Sequence, residues 1–154
     1  MLQKIFYYVK YYSIKLPKMN INAIIFLITK ENGENMKRYI IGLDEGTTSA
    51  RTLIYDFQED KIINITNEKF KQYFPQPAWV EHDANEIWTV MQRTMNKAIK
   101  DSGIDTDEII GLGITNQRES IVAWDRNTGE PICPSIVWQC RRTAKYCDSI
   151  NKKM

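Results

Sequence analysis

The chain has a single histidine, His82, and no Cys-x-x-Cys pair, so zinc-binding ligand sets find little support. Its three cysteines, Cys133, Cys140 and Cys147, cannot all pair. Their even seven-residue spacing puts Cys140 and Cys147 on one face of a helix, where packing as reduced thiols in a cytoplasmic protein is expected. There is little excess charge: 21 basic against 19 acidic residues leave +2. A dedicated nucleic-acid binder would show a clustered basic surplus, so no nucleic-acid partner is expected. No apolar run approaches the about 20 residues that a membrane span needs. The nearest, Ile21 to Ile28, lies too late for a signal-peptide core and lacks a small-x-small cleavage site. The Walker spacing Gly-x-x-x-x-Gly-Lys-Ser/Thr is missing as well.

Within those exclusions, 154 residues at 43% hydrophobic and 26% charged fit one globular domain. The first 35 residues differ from the rest, being rich in Tyr, Lys and Ile without a clear period. Met36 stands directly before Lys37-Arg38-Tyr39-Ile40-Ile41-Gly42. The expectation is that Met36 is the natural start and that residues 1–35 are a non-homologous or mis-called extension, with 36–154 as the domain proper.

From Met36 the sequence reads as strand, strand, strand, helix, strand, strand. Tyr39 to Leu43, Arg51 to Phe57 and Lys61 to Phe70 are predicted strands with short connections, hence an antiparallel meander. A loop with two prolines and exposed aromatics, Tyr73 to Asp83, follows. Asp83 is the predicted N-cap of a helix, Glu86 completes a capping-box-like pattern, and Gly103 is the stop. Glu108 to Ile114 is almost wholly apolar and suits the middle of a sheet. Ser120 to Trp124 and Ile136 to Trp138 are predicted strands, Asp125 to Glu130 a turn, and a last helix begins near Arg141. The order fits a mixed α/β sheet of the ribonuclease H-like kind.

Three clusters could carry chemistry. Between the first two strands, Asp44-Glu45-Gly46-Thr47-Thr48-Ser49 supplies a carboxylate, a glycine and three hydroxyls, with Arg51 just beyond. Backbone N–H groups and hydroxyls in such a turn can surround phosphate oxygens, while a carboxylate holds hydrated Mg²⁺. A plain turn favours the same residue types, so this cluster alone does not decide. The second, Thr115-Asn116-Gln117-Arg118-Glu119, ends a central apolar strand, where ligands of α/β sheets sit. Adjacent Arg118 and Glu119 suit a polyol with vicinal hydroxyls; the bland alternative is a solvated loop. In the third, Trp138-Gln139-Cys140-Arg141-Arg142-Thr143, Trp138 is either an apolar wall for a small substrate or a core residue. Arg141 and Arg142 read equally well as a solvated helix start. His82 is weak evidence for base chemistry, since capping by Asp83 and packing by Trp79 explain its segment.

These blocks, together with Pro77-Ala78-Trp79-Val80-Glu81-His82-Asp83 and Glu86-Ile87-Trp88, resemble the glycerol kinases of the FGGY family of carbohydrate kinases in order and approximate spacing. The resemblance implies an actin-like ATPase fold with a ribonuclease H-like N-terminal domain, the second half incomplete here. It implies ATP-dependent phosphorylation of glycerol to glycerol 3-phosphate with Mg²⁺, ADP as product, and a homo-oligomeric full-length enzyme. It assigns Thr47, Thr48, Ser49 and Arg51 to the nucleotide phosphates, Asp44 to the metal, and Arg118, Glu119 and Trp138 to glycerol. Glu45 stands where the family more often has Gln, adding charge near phosphate, and Ala50 where Ser is common. The family's base aspartate falls beyond Met154, so no catalytic residue is assigned here and the 154 residues alone are not expected to turn over. A non-catalytic truncated binding domain, or the N-terminal part of another FGGY sugar kinase, are the alternative readings.

Overall fold

Alternating burial sets the sheet. A computed structural model describes residues 9–12, 24–28 and 38–152. Strands β1 (Val9–Tyr12), β2 (Ile24–Ile28), β3 (Tyr39–Glu45), β4 (Ser49–Asp56), β5 (Lys61–Lys69) and β7 (Ile109–Asn116) form one sheet in the order β1-β2-β7-β3-β4-β5. β3, β4 and β5 are the expected antiparallel meander. β7 runs parallel to β3, with Gly42 opposite Gly113 and Asp44 opposite Thr115. A parallel pair needs a crossover, and helix α1 (Ala84–Ser102) provides it. β6 (Glu81–His82) and β8 (Ser135–Ile136) make a separate two-stranded sheet, and α2 (Ala144–Asn151) follows.

Helix α1 lies on β4 and β5. Ile41, Leu43, Ala50 and Ile54 from the sheet meet Val90, Met91 and Ala98 from the helix, with Phe70 beside them. Inside this apolar layer the Thr52 and Thr94 hydroxyls bond each other at 3.0 Å, so neither polar group is buried unpaired. Ala50 is fully buried in this core.

The sequence boundaries of α1 hold. The Asp83 side chain accepts from the N–H groups of Asn85 and Glu86, and Gly103 closes the helix at φ 67°, a left-handed conformation that costs a glycine least. The capping box is only half formed. Glu86 turns away to accept from the Lys71 N–H at 2.8 Å and the Tyr73 hydroxyl at 3.0 Å, tying the helix start to the loop before it.

Other expectations change. Ser120 to Trp124 is not a strand: only isolated bridges, Ile121 to Ile136 and Trp124 to Pro131, form there. The turn between them does form, with Asp125 accepting from the N–H groups of Asn127 and Thr128. Of Ile136 to Trp138 only Ile136 is in a strand. The last helix starts at Ala144, so Cys140 precedes it and shares no helix face with Cys147. Cys133 and Cys147 are exposed rather than packed. Within the stretch 1–35 the described segments are β1 and β2, and β2 pairs antiparallel with β7. The predicted start at Met36 and the last residue, Met154, lie outside the described residues.

Candidate functional site

β3 and β7 run side by side and end together at Glu45 and Asn116, so the first two clusters emerge from one end of the sheet. The first is a tight hairpin in which the Gly46 N–H donates to the Ser49 carbonyl at 3.0 Å. The Thr48 carbonyl accepts from the Phe70 N–H and the Thr47 carbonyl from the Gln72 amide, which leaves the threonine hydroxyls to other partners. Thr48 is exposed, and Ser49 opens β4. Asp44 and Arg51 face each other across β3 and β4, with Nη1 3.7 Å from Oδ2 and both side chains well exposed. Such a pair contributes little stability and leaves both charges open to a ligand.

A lone carboxylate beside the turn is a fit for Mg²⁺, which keeps several waters and uses one or two carboxylates together with substrate phosphates. Among the described residues no group of three or more His, Cys, Asp and Glu side chains is placed to hold an ion.

In the second cluster Arg118 and Glu119 are exposed and, among the described residues, neither has a hydrogen-bond or ion-pair partner in the protein. Glu119 holds φ 62°, a left-handed conformation uncommon for a residue with a Cβ. Such backbone strain gathers at binding sites. The third cluster joins the first directly. Trp138 is half exposed, not a core residue, and its indole N–H donates to the Thr47 hydroxyl at 3.1 Å. The Thr47 turn and the Trp138 indole are thus in contact. Arg142 is not solvated: it lies 3.8 Å over the Trp79 ring, donates to Glu81 at 2.6 Å and reaches the Cys140 sulfur at 2.9 Å.

Residues not singled out as ligands connect these clusters. Glu45, expected to add charge beside phosphate, is engaged by Gln117, whose amide donates to Oε1 at 2.6 Å and whose backbone N–H donates to Oε2 at 3.1 Å. Burial raises the Glu45 carboxyl above its usual range, opposed by those Gln117 bonds and aided by Asp44. The same Gln117 amide reaches Nδ1 of His82 at 3.2 Å, and Nε2 of His82 meets the Gln72 carbonyl oxygen at 2.8 Å. His82 has no exposed surface, and burial lowers its pKa against the pull of Glu86. The signal for this hub was the chain's only histidine, set between Glu81 and Asp83 just before the helix. Its partners come from distant parts of the sequence.

The N-terminal domain of the FGGY family of carbohydrate kinases matches residues 39–154. The chain is 48% identical over 118 residues to a glycerol kinase of Treponema denticola, covering 77% of this chain and 24% of that protein. It is 50% identical over the same length, with the same shares, to a glycerol kinase of Rhizobium meliloti. The solved structure of Plasmodium falciparum glycerol kinase with ADP superposes with TM-score 0.66 at 33% identity, over 79% of this chain and 24% of that one. A gluconate kinase from Lactobacillus acidophilus, at 21% identity, shares the fold with TM-score 0.67, over 75% of this chain and 22% of that one. The chain spans about a quarter of the length of the curated relatives it matches. A mixed sheet crossed by one helix, in the actin-like ATPase fold of sugar kinases, and a family match over most of its length show that this chain belongs to the FGGY family of carbohydrate kinases.

Proposed function

We propose that this chain forms the phosphate-and-glycerol face of a glycerol kinase. The supporting observation is the Trp138 indole bonded to the Thr47 hydroxyl, which brings the residues assigned to glycerol against those assigned to phosphate. In this reading the hairpin amides and the Thr47, Thr48 and Ser49 hydroxyls hold the phosphates of ATP, and Arg51 offsets their charge. Asp44 would hold Mg²⁺, which would supply charge neutralisation to the phosphates. Arg118 donates to, and Glu119 accepts from, neighbouring hydroxyls of glycerol, while Trp138 covers its C–H face. The terminal glycerol oxygen attacks the γ-phosphorus, the bond to the ADP oxygen breaks, and a base takes the hydroxyl proton. What these residues contribute is position and charge, on which phosphoryl transfer chiefly depends. A cytoplasmic location, a homo-oligomeric enzyme, and a kinase segment of 36–154 preceded by an extension of 1–35 belong to the same reading.

The test is a coupled assay for ADP on the protein that carries this chain together with the rest of the family's length. Arg118→Ala should raise the KM for glycerol about 10- to 100-fold, the weight of hydrogen bonds from a charged donor, with a smaller change for ATP. Equal changes in both constants would remove Arg118 from the glycerol site.

A further inference from the structure

The hydrogen bonds around His82 close into a ring. Trp138 donates from its indole to the Thr47 hydroxyl. The Thr47 carbonyl accepts from the Gln72 amide, and the Gln72 carbonyl oxygen meets Nε2 of His82. Nδ1 of His82 meets the Gln117 amide, and the Gln117 carbonyl oxygen accepts from the Ser120 hydroxyl. The Ser120 oxygen in turn accepts from the Trp138 backbone N–H at 3.3 Å, which completes the circuit.

The ring fixes every role in it. Because the Gln72 NH₂ is spent on the Thr47 carbonyl, its other terminus is an acceptor, so His82 must donate from Nε2. The Gln117 NH₂ gives one hydrogen to Glu45 and the other to His82, so Nδ1 must accept. A neutral imidazole with its proton on Nε2 meets both demands, and neither a second tautomer nor an imidazolium does. The ring edge packs against Phe70, centroids 5.1 Å apart and nearly perpendicular, which holds its plane.

We propose that His82 is a positioning residue that sets the spacing between the phosphate turn and the glycerol segment, acting through Gln72 on one side and Gln117 on the other. The proposal rests on the function argued above. His82 touches neither substrate. It reads the Thr47 turn through its donor nitrogen and the Gln117-Arg118-Glu119 segment through its acceptor nitrogen. An amide side chain can replace one nitrogen at a time. Asn offers an oxygen near the position of Nδ1, and Gln offers a donor near that of Nε2.

Two variants therefore separate the halves. His82→Asn keeps the acceptor for Gln117 and releases Gln72, so the KM for ATP should rise roughly 3- to 10-fold, the weight of one neutral hydrogen bond, with the glycerol constant nearly unchanged. His82→Gln keeps the donor to Gln72 and releases Gln117, and the KM for glycerol should rise by a similar factor instead. A merely structural histidine would give parallel losses in both variants, and that result overturns the proposal. A second measurement stands apart from turnover. In the 154-residue chain, ¹⁵N-resolved NMR should show His82 protonated on Nε2 and bare on Nδ1 at neutral pH. His82→Gln should also move the Trp138 indole N–H signal, identified by its loss in Trp138→Phe. An imidazole protonated on Nδ1, or an indole signal unmoved by either substitution, overturns the ring whatever the assay reports. A wild-type enzyme that ignores glycerol, with the NMR pattern intact, counts instead against the proposed function.

Discussion

A carboxyl whose pKa rises on folding is one whose ionised form the fold resists, and Glu45 is such a group. Its stabilising contribution is complete below the ordinary glutamate value of about 4.3 and is lost as pH climbs through the raised value. Glu45→Gln imitates the protonated form. The Tm of that variant, measured against wild type across pH, should gain on wild type from about pH 4 and level off above the raised value. A difference that stays flat or falls would contradict the assignment. The same residue shows what was legible in the sequence. Glycine, hydroxyls and a carboxylate in one short turn mark a candidate phosphate turn because their chemistry is local, although a plain turn favours the same types. The partners of Glu45 and His82 are not local: Gln117 lies on the far side of α1 in the chain, and only the β3–β7 register brings it alongside. No spacing rule reports such a contact.

At the scale of elements, α1 was readable because its period, its cap and its stop all agree. Asp83 satisfies two of the N–H groups that a helix start leaves without partners. Asp83→Ala should lower stability by about 1 kcal/mol. For a chain of this size that is a fall of about 2–4 °C in Tm, read by circular dichroism. An unchanged Tm would mean that Glu86, held by Lys71 and Tyr73, anchors the helix start alone. The segment from Ser120 to Trp124 departs from its expected strand for a different reason. Its run of Ile121, Val122, Ala123 and Trp124 has the β-branched and aromatic content of a strand. A strand also needs a continuous partner, and here the pairing stops at single bridges on either side of the Asp125 turn. Residue types record which segments favour an extended backbone and are silent on whether a neighbouring strand exists.

For the whole molecule, the question is what covers β7. Its apolar sequence predicts a strand inside a sheet, and the structure agrees, with β3 on one side and β2 on the other. β3 lies within the stretch matched by the family, whereas β2 precedes it. The register sets Ile24 opposite Ile114, Ile25 opposite Gly113 and Phe26 opposite Leu112. An uncovered edge of this composition would present unpaired backbone groups to any other strand, which is a route to self-association. β2 covers that edge of β7. Hydrogen exchange on the 154-residue chain and on a version beginning at Met36 tests this directly. The Leu112 to Ile114 amides that face β2 should lose protection in the shorter version, and light scattering should show it self-associating. Equal protection in both, with both monomeric, would mean that the β7 edge needs no cover and that β2 adds nothing to the sheet.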